Sequence, residues 1–136
     1  PAAHLALFSG MDRRLGRAML RAAVAPDDSG LASPQAVYRA WRDDDVAAVA
    51  GFDSRFKQRY PALYARLIAN RNRAWMPKLQ ALLDGQDGQL IVVGAAHLVG
   101  PDGLVGALRA AGYRVAPGLA ATGHELRTRW LMRGRP

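Results

Sequence analysis

Leu90-Ile91-Val92-Val93-Gly94-Ala95-Ala96-His97 is the stretch on which the fold reading turns. Four apolar residues, three of them β-branched, follow one another without polar alternation, which predicts a strand buried on both faces of a mostly parallel sheet. The small residues Gly94, Ala95 and Ala96 end it and let backbone or ligand approach closely. His97 then falls beyond the carboxyl end of the strand, where open α/β sheets gather their sites.

Downstream, Gly100-Pro101-Asp102-Gly103 reads as a turn and helix cap, and Leu104, Val105, Leu108 and Arg109 mark a short helix. Gly112 stops that helix and Tyr113-Arg114-Val115 predicts a second strand, so the region is expected to form a strand-helix-strand unit. Upstream the pattern is helical. Leu5, Phe8, Met11, Leu15, Met19 and Leu20 recur at helical spacing, broken at Ser9-Gly10. Ser33-Pro34 supplies an N-cap and a preorganised first helical residue for a helix bearing Val37 and Trp41. Asp43-Asp44-Asp45 is placed to cap the next helix. The expected fold class is therefore α/β, a helix-rich first part followed by the strand-helix-strand unit.

The longest helical pattern opens at Pro61, and its apolar stripe runs through Leu63, Tyr64, Leu67, Ile68, Trp75, Met76, Leu79, Leu82 and Leu83. Projected through its middle turn, the stripe lands on Arg71 and Asn72. Two polar side chains where the pattern demands core need partners or line a site, because burying them unpaired costs several kcal/mol. Pro77 predicts a kink just after this pair.

At 136 residues with half of them apolar, the chain is long enough for one core and too short for two independent domains. No apolar run approaches the ~20 residues of a membrane-spanning helix. There is no cysteine, which removes disulfides and thiolate metal sites and leaves the compartment open. The net charge of +8 is almost wholly arginine, Lys57 and Lys78 being the only lysines. A basic surface favours polyanions, but the arginines are scattered, and Arg127, Arg129, Arg133 and Arg135 form the one true cluster, in the tail. Nucleic acid is accordingly not expected as a partner.

Three histidines are available. His97 is either a site residue or a structural histidine satisfied by the fold. His124-Glu125 lacks a second histidine four residues on, and His4 has no acidic neighbour nearby. No phosphate loop, dinucleotide fingerprint or serine-nucleophile elbow is present.

Arg71-Asn72-Arg73-Ala74-Trp75-Met76, followed by residues 90–100 and then by Pro101-Asp102-Gly103-Leu104 and Gly112-Tyr113-Arg114-Val115, resembles the C-terminal signature of the TraB/GumN family. Trp41-Arg42-Asp43-Asp44-Asp45 resembles an element upstream of it. The resemblance implies a single partial domain over residues 1–136, the C-terminal half of a TraB/GumN-like domain, with its motif region at 61–117 and a basic tail at 118–136. It further implies a metal-dependent peptidase or hydrolase, since the related Tiki proteins are metalloproteases built on two glycine-to-histidine motifs and a glutamate. On that resemblance His97 is a metal ligand and catalytic residue, with Arg71 and Asn72 orienting substrate or stabilising charge. A divalent metal is expected in the longer protein and none held tightly here. The expected partners are a peptide substrate and either the missing N-terminal half or a second copy, in a periplasmic or secreted setting. A non-catalytic regulatory or interaction protein of the same fold is the alternative, and a nucleic-acid-binding module the third reading.

Overall fold

The computed structural model describes residues 9–24, 32–85, 88–117 and 130–133. Helix α1 is Arg13–Val24, α2 Pro34–Arg42, α3 Val46–Arg59 and α4 Pro61–Tyr64; a π-helical turn, Ala65–Ala69, joins α4 to α5, Asn70–Leu83. A 3-10 turn at Ala95–His97 precedes α6, Leu104–Ala110, and two short strands follow, β1 Arg114–Pro117 and β2 Trp130–Arg133.

Local chemistry sets the boundaries. Ser33 caps α2 by accepting from the Ala36 amide at 3.2 Å, with Pro34 in the first helical turn. Asp45 does the same for α3, accepting from Ala48 at 2.8 Å. Of the aspartate triplet it alone is the N-cap of α3, for Asp43 is the C-cap of α2 and pairs with Arg42, and Asp44 takes a left-handed φ of 54°. Pro77 lies inside α5, which runs on through it. An irregularity of the long helical run that the sequence reading did not expect is the π turn, which lies before the polar pair. The segment at Leu5 and Phe8, the histidines His4 and His124, Glu125, and Arg127, Arg129 and Arg135 lie outside the described residues.

Two apolar clusters hold the described residues together. Tyr64, Ile68 and Ala69 pack with Phe56, Leu67 and Ala96. Val105, Leu108, Tyr113 and Val115 pack with Met76, Leu83, Leu98 and Ala111. The long helical run passes through both: its buried positions Tyr64, Ile68, Asn72 and Leu79 follow the stripe read from the sequence. His97 lies between Ala96 of one cluster and Leu98 of the other, at the seam.

The α/β expectation is overturned: the described residues are predominantly helical, and no strand-helix-strand unit forms. Residues 90–93 belong to no strand. β1 does form at the second expected strand, shifted to Arg114–Pro117, but it pairs antiparallel with β2, with Arg114 opposite Arg133 and Pro117 opposite Trp130. The physical reason is that β-branched composition favours extended backbone while a strand exists only through a neighbour's hydrogen bonds. Among the described residues nothing pairs with 90–93, and Leu90 and Val92 are 78% and 82% exposed rather than buried on both faces.

Candidate functional site

Asn72 is the centre of the site. It lies on the buried face of α5 and is 2% exposed. Its amide nitrogen donates to the His97 carbonyl at 3.1 Å and to the Asp102 carbonyl at 2.7 Å. Two acceptors on the nitrogen fix the amide's orientation, so the oxygen facing His97 Nδ1 at 2.7 Å is an acceptor. His97 Nδ1 must therefore carry the proton, and Nε2 presents its lone pair. Nε2 has no partner among the described residues, and it is not sealed in: the buried side-chain N or O atom left without a partner there is Asp53 Oδ1.

The imidazole is kept neutral by its surroundings. Burial lowers its pKa below the ordinary 6.5, and the positive charge of Arg71 lowers it further. The Trp75 ring stands 4.9 Å from the imidazole centroid, and the Arg71 guanidinium lies 4.8 Å over that same Trp75 ring while donating to the Leu67 carbonyl at 3.2 Å. Arg71, Trp75 and His97 thus form a continuous run of contacts, with the Trp75 and His97 rings tilted at 49° to each other. The Cβ that Gly94 lacks would lie 3.9 Å from His97 Cδ2, so glycine here leaves that edge of the ring uncovered without being required by packing.

The 100–103 turn is built for close approach. Gly100 has φ +81°, and a Cβ there would fall 2.2 Å from Asp53 Oδ2; at Gly103 one would fall 2.5 Å from the Val99 carbonyl. Behind the turn Tyr64 donates its hydroxyl to Asp53 Oδ2 at 3.0 Å, and Lys57 pairs with Asp102 at 2.8 Å. Burial raises the Asp53 carboxyl above its usual range, with the Tyr64 bond opposing and the Asp102 charge adding to the rise. Lys57 holds Asp102 below its own. Tyr64 is pushed up by burial and by the carboxylate it donates to.

All three residues singled out from the sequence meet here, Asn72 in direct contact with His97 and Arg71 through Trp75. Asp53, Tyr64 and Lys57 escaped that reading. The same stripe argument reaches Asp53, since Val49, Asp53 and Phe56 follow helical spacing and an acid among them occupies a core position.

A catalytic metal takes about three protein ligands and an open position. Among the described residues no three His, Cys, Asp or Glu side chains come close enough to hold one. His97 offers one nitrogen, while the Asp102 carboxylate is engaged by Lys57 and Asp53 by Tyr64. The described residues do not fit the divalent metal that the resemblance implies.

No curated protein and no solved structure matches the chain. The family model described as TraB/PrgY/gumN matches residues 1–117, nearly the whole of the 136-residue chain, which overturns the expectation that the chain corresponds to a C-terminal half. With that span, and with Asn72, His97 and the 100–103 turn assembled into one site, the chain belongs to the TraB/PrgY/gumN family.

Proposed function

We propose that the chain acts as a hydrolase on peptide-like substrates, with His97 as the general base. One observation carries the reading: the Asn72 amide fixes the His97 tautomer so that Nε2 keeps a neutral lone pair. Nε2 takes a proton from water as the water oxygen attacks a carbonyl carbon. The proton then passes to the departing amine as the carbon–nitrogen bond breaks. Arg71, held over Trp75, supplies positive charge for the developing oxyanion. Asn72 positions the imidazole and does not touch substrate.

The test is hydrolysis of a quenched fluorescent peptide library by the full chain, with His97→Gln and Arg71→Met as variants of similar size. Activity is expected to fall about 10²–10⁴-fold in His97→Gln, the usual contribution of a general base, and to rise with pH through a midpoint below 6.5. A parallel series with chelator and with added divalent ions reads out any dependence on a metal. Hydrolysis unchanged in His97→Gln ends the proposal.

A non-catalytic binding role is the second reading. It is favoured by the exposed aromatic pair Tyr38 and Trp41, whose ring centroids lie 5.9 Å apart. Ligand binding without turnover of any library member would establish it over the first.

A further inference from the structure

A groove of about 660 Å³ runs between α2 and α3 and is closed along one side by the Gly94-Ala95-Ala96 backbone stretch. Its walls are aromatic. Tyr38 and Trp41 line it from α2 and are 56% and 51% exposed, while Phe52 and Phe56 line it from α3. Asp53 is the acid among the lining residues, and it is only 4% exposed. Its Oδ2 accepts from Tyr64, whereas its Oδ1 has no hydrogen-bond partner among the described residues.

That orphan oxygen needs a donor, because a buried acceptor left unpaired costs about 1–3 kcal/mol. The cation one turn along α3, Lys57, does not meet the need, since it reaches Asp102 at 2.8 Å. The Arg55 guanidinium lies 5.0 Å from the centroid of Phe52, so one ring that lines the groove already takes part in a cation–π contact. A carboxylate and aromatic rings lining one groove are the groups that recognise an organic ammonium, through ion pairing and cation–π attraction. Apolar walls of this extent also suit a hydrocarbon body attached to that head.

We infer that the groove between α2 and α3 is a binding site for an organic ammonium ion with an apolar or aromatic body, its charged nitrogen donating to Asp53. The groove adjoins the His97 site through Gly94, Ala95 and Ala96, but it is read by binding alone, so hydrolysis can fail while it stands, and the reverse.

The experiment is calorimetric and NMR titration of the full chain with three probes of like size: phenethylammonium, 2-phenylethanol and 3-phenylpropionate. Phenethylammonium is expected to bind about tenfold or more tightly than either of the others, with shifts at Trp41. Asp53→Asn is expected to remove most of that preference. Because a change at a buried aspartate can disturb folding, Trp41→Ala, on an exposed wall, provides the second arm and is expected to weaken phenethylammonium by about three- to tenfold. Equal binding of the three probes, absence of phenethylammonium binding, or affinity unchanged in both variants overturns the inference.

Discussion

Asn72 and His97 are joined twice, the amide nitrogen to the His97 carbonyl at 3.1 Å and the amide oxygen to the ring Nδ1 at 2.7 Å. The same side chain therefore anchors the backbone of the 3-10 turn and sets the proton on the ring it carries. With the bond to the Asp102 carbonyl, one residue of α5 holds both ends of the segment that presents the site.

Asn72→Ala strips all three bonds from a buried location and leaves two carbonyls and Nδ1 without that partner. Unfolding in urea is expected to show a loss of about 2–4 kcal/mol, from about 1–3 per buried group left unpaired with partial relief by water. Asn72→Asp keeps an acceptor for Nδ1 but adds a negative charge, so the His97 pKa is expected to rise. An NMR titration of the ring protons checks this. An unmoved or lowered midpoint would contradict the assigned contact.

Acid should weaken the fold through His97. Its folded pKa lies below the ordinary 6.5, because burial and Arg71 disfavour the imidazolium. Between the two values the unfolded chain binds more protons, so the stabilising contribution is fully present above about 6.5 and is lost as pH falls through the folded pKa. Asp53 works in the opposite sense: raised by burial, its contribution is present below the ordinary 3.8 and is lost as pH rises through its folded pKa. Arg71→Gln removes the second cause of the His97 shift, and its ring titration is expected to move upward toward 6.5. Stability curves of wild type and His97→Gln from pH 5 to 8 isolate the histidine part. Parallel curves would refute it.

The glycines should separate into two classes. Gly100→Ala puts a methyl group against Asp53 Oδ2 at a left-handed φ, and Gly103→Ala puts one against the Val99 carbonyl; each is expected to cost about 1–3 kcal/mol or more. Gly94→Ala meets only an ordinary contact, at φ −64°, and is expected to be neutral or stabilising by about 0.4–1 kcal/mol. It nonetheless covers the Cδ2 edge of His97, so carbethoxylation of that imidazole should slow. Thermal melts, together with mass-spectrometric rates of modification, distinguish the classes. Unaltered modification in a folded Gly94→Ala would show that the glycine does not govern access to the ring.

The sequence by itself determined the helices and the polar break in the long one. Spacing alone placed Arg71 and Asn72 on a buried stripe, because helical period fixes which residues share a face before any neighbour is known. It likewise placed the caps at Ser33 and within Asp43-Asp44-Asp45, and the turn at 100–103, since these depend on residues within a few positions of each other. What it misjudged was residues 90–93, where composition promised a buried strand and the fold leaves Leu90 and Val92 exposed. Strand pairing is a property of two segments, and no reading of one segment supplies its partner. The tautomer of His97, the contact of its ring with Trp75 and the orphan oxygen of Asp53 also belong to tertiary structure alone. They arise from side chains 25, 22 and 11 residues apart, and only packing decides which group reaches which.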